Sequence, residues 1–306
     1  MRMFQLAAVL ALVAIGQPSE PGSTLADTTR MVEVIDPATI DVQMDSGASQ
    51  RIRLVGIASD FARDNACAEA RARSRAQELL EGQALSIDVQ PDQALGSDVP
   101  AAAYVWLSDG QNLAETLLRE GDVLASVAEW HPRQTSFAAA EAAAIADHAG
   151  IWEPGACSSV SGDTQPAVDA DQAGIGGLVA SSALSLPQAR TAVQVLREQA
   201  RSGPLVASSG GWQATTNGAI GWTRQAAQSL QRPPGSLGPV GQAMYADLAA
   251  LGRRLQDQAD AFEATVASGD LSGMGATATP LAHTDDCLSA AITRVNALAS
   301  AYGVGD

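Results

Sequence analysis

The spacing of hydrophobic positions changes about halfway along this 306-residue chain. In the first half they alternate with polar positions over 32–43 and 51–57, on either side of the turn Asp45-Ser46-Gly47. That alternation predicts three strands, and the same pattern at 84–90 predicts a fourth. The apolar run at 101–107, AAAYVWL, predicts a fifth. Helices are predicted at 65–81, 111–120 and 136–149. Five strands with these helices fit a small OB-type β-barrel.

In the second half, hydrophobic residues recur at helical spacing. The predicted helices cover 187–202, 207–231, 238–268 and 279–302. The second is the weakest of the four, because Gly210-Gly211 and Gly218 lower its helix propensity. We expect an antiparallel four-helix bundle. The predicted class is therefore α+β, a five-stranded OB-type barrel with flanking helices followed by an all-α helical bundle.

These patterns divide the chain into four parts. Residues 1–26 form an N-terminal signal segment, 27–157 the barrel domain, 158–185 a linker and 186–306 the helical bundle. The linker is predicted because Ser, Gly, Asp and Ala dominate it without sustained periodicity. It includes Gly174-Ile175-Gly176-Gly177, which lacks the preceding strand that a nucleotide-binding loop needs.

The N-terminus is typical of a secretory signal. Arg2 supplies the positive charge, and residues 4–15 form an apolar run too short to span a bilayer comfortably. Ala14-Ile15-Gly16 and Thr24-Leu25-Ala26 are candidate cleavage sites. An uncleaved N-terminal anchor is the alternative, and no other segment is long and apolar enough to be transmembrane. We therefore expect a secreted or extracytoplasmic protein.

Two sets of side chains each allow two interpretations. Arg71, Arg73 and Arg75 on the first predicted helix form either a basic patch or a solvated face beside acidic neighbours. Trp212 and Trp222 form either a ligand platform or part of the packing between helices. The sequence favours the second interpretation in both cases.

Net charge argues against tight binding of nucleic acid. The chain carries −16 overall, and residues 31–157 contain 20 acidic residues and 8 arginines, a net charge of −12. Proteins that grip phosphate backbones normally present a basic face, because the release of counterions supplies much of the affinity. The expected partner is accordingly an unidentified protein or a component of the cell envelope.

The first predicted strands also carry a recognisable motif. Val34-Ile35-Asp36-Pro37-Ala38-Thr39 is followed by Arg51-Ile52-Arg53-Leu54-Val55-Gly56-Ile57-Ala58-Ser59-Asp60-Phe61. These segments resemble the opening of a staphylococcal-nuclease-like (thermonuclease) domain, which shows V-I-D-G-D-T and then R-x-R-L-x-G-I-D-A-P-E. The resemblance extends through Asp109-Gly110 and Leu117-Leu118-Arg119-Glu120-Gly121 to Gly150-Ile151-Trp152, about 125 residues. It implies the OB-type fold for residues 31–157.

The resemblance implies a phosphodiesterase site that this chain does not complete. In the family two carboxylates hold one calcium ion, a glutamate helps to activate water, and two arginines neutralise the phosphate. The carboxylate positions fall on Ala38 and Ala58, the glutamate position on Phe61 and the second arginine position on Pro100. Only the first arginine remains, as Arg53. It either keeps a phosphate contact, pairs with structural carboxylates, or lies partly exposed.

The resemblance also implies a disulfide. Exported members of the family often carry one cysteine after the A-P-E loop and another after the terminal G-I/L-W, positions that correspond to Cys67 and Cys157. Three unpaired thiols are the alternative, and Cys287 has no assigned role.

The sequence thus supports three functional hypotheses. The favoured one is an exported, non-catalytic protein whose barrel is a binding or scaffolding module, with no catalytic residue, no metal and no cofactor. The second is a secreted metal-dependent nuclease whose site is displaced onto Asp60 and Asp64, and only this hypothesis requires calcium. In the third, the helical bundle carries the function.

Overall fold

A computed structural model describes residues 23–58, 66–90, 99–153, 166–206, 209–235 and 237–303. The described strands are β1 (Ser23–Asp36), β2 (Thr39–Gln43), β3 (Ser49–Leu54), β4 (Leu85–Val89) and β5 (Ala101–Trp106). The helices are α1 (Ala66–Leu80), α2 (Leu113–Arg119), α3 (Gln134–Ala146), α4 (Pro166–Val206), α5 (Gly210–Leu230), α6 (Pro239–Ser268) and α7 (Ala278–Tyr302). Two 3₁₀ turns cover Gly150–Trp152 and Met274–Thr277. The predicted α+β class is confirmed.

The strands form one mixed sheet. β1, β2 and β3 follow one another as antiparallel neighbours, β3 pairs with β5 in parallel, and β5 pairs antiparallel with β4. β4 also pairs with β1, so the order β1-β2-β3-β5-β4 returns to its start. Buried and exposed residues alternate along the strands, so one face of the sheet is buried. Ile40 and Val42 of β2 and Ile52 and Leu54 of β3 lie in the core on that face. We call residues 23–153 the sheet domain.

The helices α4 to α7 form the second part, which we call the helical region. α4 packs against α5 and α7, and α5 packs against α6. α6 and α7 run antiparallel, since Asp247 meets Arg294 at one end and Gln258 meets Thr284 at the other. None of the described helices is long and apolar enough to cross a membrane.

The predicted linker needs correction, because α4 begins at Pro166 and continues through Gly203-Pro204 to Val206. Residues 158–165 lie outside the described part of the chain. Ile175, Leu178, Val179 and Leu186 are buried. Small residues surround these few apolar ones, so the helical period is weak in the sequence. Packing against neighbouring helices outweighs the low helix propensity of the glycines.

The second helix is also unbroken, contrary to the doubt raised by its glycines. Ser209 caps α5 by accepting a hydrogen bond from the backbone N–H of Trp212 at 3.2 Å. Trp212 is buried, whereas Trp222 on the same helix is 59% exposed. Only Trp212 therefore serves the packing role expected of both, and the two indoles do not share a surface.

The sheet domain and the helical region share a hydrophobic cluster. α3 packs against α7, and Leu124, Val127 and Trp152 of the sheet domain lie in the same buried cluster as Leu251 and Leu288 of the helical region. A smaller cluster fills the inside of the sheet. The two parts are consequently joined by a core and not only by a connecting segment.

Candidate functional site

The positions that the sequence resemblance aligns with a nuclease site lie around β2, β3 and the start of β5. Ala38 is 2% exposed in the turn between β1 and β2. Its carbonyl accepts a hydrogen bond from Leu54 N–H at 2.7 Å, and its own N–H donates to the carboxylate of Asp36 at 2.8 Å. The methyl group belongs to the core of the sheet. Asp36 is thus occupied in shaping the turn.

Arg53 lies close to Ala38, because β2 and β3 pair Thr39 with Arg53. Its side chain is 39% exposed, and its Nη1 stands 3.6 Å from a carboxylate oxygen of Glu129. Pro100 is partly buried just before β5, which runs alongside β3. The structure therefore places Ala38, Arg53 and Pro100 on or next to neighbouring strands.

Ala58 follows β3 and is partly buried against the larger hydrophobic cluster. Its N–H donates to the carbonyl of Leu124 at 2.9 Å, and Ser126 N–H donates to the carbonyl of Gly56 at 2.8 Å. Residues 56–58 are thereby held against the segment 124–131. Phe61, Asp60 and Asp64 lie outside the described residues.

The 124–131 segment is held on its other side by buried and partly buried charged side chains of α6 and α7. The carboxylate of Asp247 in α6 accepts hydrogen bonds from Val127 N–H at 2.7 Å and Ala128 N–H at 3.2 Å. Arg254, also in α6, donates to the carbonyl of Ala128 at 3.0 Å. Arg294 in α7 donates to the carbonyl of Ala125.

Arg294 is the centre of this network. Its side chain is 1% exposed, and it donates to the carboxylates of Glu141 at 2.8 Å and Asp247 at 3.2 Å. Glu141, in α3, also accepts from Ala125 N–H at 3.0 Å. Burial raises the pKa of Glu141 above its usual value, and the charge of Arg294 opposes that rise. Every charge in the network has partners, as buried charges require.

Aromatic side chains add to the contacts that the 124–131 segment makes with its neighbours. The rings of Trp130 and His283 stack with centroids 3.6 Å apart, and Trp130 Nε1 donates to Asp286 at 3.0 Å. His131 is buried between Tyr104, whose hydroxyl lies 2.9 Å from Nδ1, and Phe137. Burial and the nearby Arg133 lower the pKa of His131 to about 4. The imidazole is accordingly neutral at physiological pH.

The sequence reasoning missed the buried network. Glu141 is the only charged residue in α3, and Arg294 interrupts the apolar face of α7 between Ala291 and Leu298. The available signal was a charged residue at a helix position that should face the core. Such a signal does not identify the partner of the charge. Asp247 gave no comparable signal.

The three arginines of α1 are paired with acidic neighbours. Arg71 Nε lies 2.7 Å from the carboxylate of Asp122, Arg73 pairs with Glu69, and Arg75 Nε lies 2.6 Å from Glu120. These pairs neutralise the charge that a phosphate-binding patch would need. The solvated, paired face is thus the interpretation that agrees with the structure.

The described residues contain no group of three or more His, Cys, Asp or Glu side chains placed to hold a metal ion. Cys67 lies at the start of α1, Cys157 lies outside the described residues, and Cys287 is a buried free thiol whose pKa burial raises to about 12. The Cys67–Cys157 disulfide stays a prediction. Neither a family model nor a curated protein sequence matches the chain.

Proposed function

We propose that this chain is an exported, non-catalytic protein whose sheet domain is a degenerate nuclease-like OB barrel acting as a binding or scaffolding module. The observation that carries the proposal is the state of the two metal-carboxylate positions. Ala38 is packed in the core of the sheet, and Ala58 lies against the larger cluster beside the 124–131 segment. Both positions supply methyl groups where calcium chemistry requires oxygen ligands.

The environment of Arg53 supports the same proposal. A single arginine offers one of the two positive charges that the phosphate would need, and within the described part of the chain its side chain pairs with Glu129, which is 73% exposed. That carboxylate competes with a phosphate for the guanidinium. The net charge of −12 over residues 31–157 adds repulsion for a polyanion. The partners we propose are therefore a protein or a cell-envelope component.

A nuclease assay tests this proposal directly. The purified protein is incubated with DNA and RNA in the presence and absence of calcium, and calcium binding is titrated by calorimetry. We expect neither calcium-stimulated degradation nor a calcium-binding isotherm. Asp60→Asn, Asp64→Asn and Arg53→Ala are the controls for contamination. Activity that survives all three variants belongs to a contaminant, whereas activity lost in any of them overturns the proposal.

A displaced nuclease site is the second candidate, because Asp60 and Asp64 flank the position of the family's glutamate. This candidate predicts thermal stabilisation by calcium together with a nucleotide bisphosphate. An unchanged melting temperature at millimolar concentrations of both ligands would exclude it.

Function in the helical region is the third candidate, and the exposed Trp222 is the observation that favours it. Once a partner is identified, binding measured with Trp222→Ala and Arg53→Ala separates the candidates. Loss only in the first variant assigns the function to the helical region.

Export and the disulfide belong to the proposal as well. Fractionation of expressing cells tests the extracytoplasmic location. Peptide mapping under non-reducing conditions tests the link between Cys67 and Cys157. A cytoplasmic protein with three reduced thiols would contradict both.

A further inference from the structure

The 124–131 segment meets α7 at the protein surface through Trp130. The indole stacks on the imidazole of His283, with ring centroids 3.6 Å apart and ring planes 9° from parallel, and Trp130 Nε1 donates to Asp286 at 3.0 Å. Trp130 and His283 are partly buried, whereas Asp286 is exposed. We call these three side chains the Trp130 contact. Because it is partly open to water, protons can reach it while the core stays closed.

The helical region holds the rest of the segment in a different way. Backbone groups of residues 125–128 bond to three charged side chains of α6 and α7, namely Asp247, Arg254 and Arg294. Two residues further on, Trp130 is held by a histidine instead. Histidine is the side chain whose charge ordinarily changes between about pH 5 and 8. The two ends of the segment should therefore respond differently to acidification.

The groups around His283 favour its neutral form. Burial and the positive charge of Arg254 in α6 lower the pKa of His283 below its ordinary value of 6.5, and the charge of Asp286 opposes them. The 124–131 segment presents only the uncharged indole to the imidazole. Protonation would consequently place a second cation beside Arg254.

Protonation would also affect the hydrogen bond of Trp130. Asp286 lies three residues beyond His283 in α7, and side chains at this spacing are neighbours on a helix. An imidazolium would attract the carboxylate that accepts from the indole N–H. The attraction of a cation for the indole face acts in the opposite direction, so the direction in which the His283 pKa is shifted decides between the two effects.

We propose that the Trp130 contact is a pH-sensitive latch, which holds residues 128–131 on α7 while His283 is neutral and releases them when His283 is protonated. A folded-state pKa below 6.5 means that the contact is complete above about pH 6.5 and is lost as the pH falls through the lowered pKa.

Release of Trp130 would reach the surface of the sheet domain. Glu129 is the neighbouring residue, and its carboxylate stands 3.6 Å from Nη1 of Arg53. When the backbone beside it is freed, Arg53 loses the carboxylate with which it pairs in the described part of the chain. The latch thus links the charge of a histidine in α7 to the availability of an arginine on β3. The inference does not depend on the nuclease-like assignment of the sheet domain.

Hydrogen exchange of the 124–131 segment tests the proposal. Exchange is followed by mass spectrometry at about pH 7.5 and about pH 5 and is corrected for the intrinsic effect of pH. We expect exchange at residues 128–131 to rise several-fold at the lower pH, while residues 124–127 stay protected. The pKa of His131, lowered to about 4 by burial and Arg133, lies below this range.

Two variants assign the effect to the Trp130 contact. His283→Asn does not titrate, so its exchange at 128–131 should be the same at both pH values. Asp286→Asn removes the charge that favours the imidazolium, and release should then require a lower pH. Circular dichroism verifies that each variant keeps its helices.

His148→Gln is the matched control, since His148 is exposed after α3 and contacts the ring of Tyr302 instead. We expect this variant to respond to pH like the original chain. A titration of the His283 ring by NMR gives its pKa directly. The proposal is overturned by a His283 pKa above 6.5, by an original chain without the rise in exchange, or by a rise that His283→Asn retains.

Discussion

At the scale of single residues, Gly56 shows why the segment Arg53-Leu54-Val55-Gly56-Ile57 needs glycine at its fourth position. Its φ is +81°, and a Cβ atom there would stand 2.6 Å from both His131 Nε2 and Phe137 Cδ2. Gly47 has a similar φ of +84° but open space around it. Alanine variants at the two positions therefore distinguish the cost of backbone strain, which both share, from the cost of steric contact, which arises only at Gly56.

We predict that Gly56→Ala destabilises the fold more than Gly47→Ala. Both changes force a left-handed backbone on an L-residue, at a cost of about 1–2 kcal/mol. Gly56→Ala adds overpacking, typically about 1–3 kcal/mol. Urea unfolding of the two variants measures the difference, and equal losses would mean that the rings of His131 and Phe137 move aside.

His131 should make stability depend on pH. Its pKa in the folded protein is about 4, below the usual 6.5, because burial disfavours the charged imidazole. The stability that neutral His131 contributes is fully present above about pH 6.5 and is lost as the pH falls towards 4, by up to about 3 kcal/mol.

Urea unfolding across this pH range measures the effect. The matched variant is His131→Asn, whose amide oxygen can accept a hydrogen bond from Tyr104 and which does not titrate there. We expect its stability to fall less on acidification than that of the original chain. Parallel pH profiles would show that other groups cause the dependence.

At the scale of elements, α3, α6 and α7 meet at the Arg294 network. We predict that Arg294→Ala destabilises the protein by about 3–5 kcal/mol, since it leaves Glu141 and Asp247 as buried carboxylates without their cation. The double variant Arg294→Met/Glu141→Leu should recover part of this loss. Chemical denaturation measures each free energy of unfolding.

Arg224→Ala provides the control, because it removes an arginine from a solvent-exposed pair with Asp260 and Glu263. Exposed pairs are screened by water, and we expect a small change. Similar losses for Arg294→Ala and Arg224→Ala would contradict the structural role of the buried network.

β1 bears on the proposed cleavage of the N-terminal signal segment. It begins at Ser23, and Ser23 and Leu25 pair with Val89 and Ile87 of β4. The predicted domain start at residue 27 therefore falls inside a strand. Cleavage after Ala26 would remove these pairings, whereas cleavage after Gly16 would keep them.

We predict that the mature protein begins at or near Gln17. N-terminal sequencing of the exported protein identifies the cleavage site. A mature terminus at Asp27 would show that the fold does not require the pairing of Ser23 and Leu25 with β4.

At the scale of the whole molecule, the shared cluster determines how the chain folds. Leu124, Val127, Ile145 and Trp152 of the sheet domain are buried with residues of α4 to α7. Removal of the helical region would expose them to water, at about 25 cal/mol for each Å² of apolar surface. The contact between the sheet domain and the helical region is a shared hydrophobic cluster, whereas independently folding domains usually meet at small, more polar interfaces.

We predict that a fragment ending at residue 165 does not fold on its own, and that the full chain unfolds in one cooperative transition. Calorimetry and circular dichroism measure both. A fragment with native-like melting behaviour would show that the sheet domain is independent.

The sequence by itself determined the spacing of the hydrophobic residues, and this spacing predicted most of the helices and strands. Strands β2 to β5 and helices α1 to α3 lie close to where the hydrophobic patterns predicted them, because each pattern reflects a face that must be buried. β1 is the exception, since it begins at Ser23, inside the predicted signal segment. The sequence also determined that Ala38, Ala58 and Pro100 carry neither a carboxylate nor a guanidinium, whatever the fold.

Tertiary structure alone decided how the parts are joined. Residues 166–185 belong to α4, which packs against α5 and α7, although their own composition indicates a linker. Arg294 meets Glu141 across 153 residues of sequence and Asp247 across 47, distances over which local patterns carry no information. The sequence shows which side chains must be buried, and only packing shows which partners they are buried with.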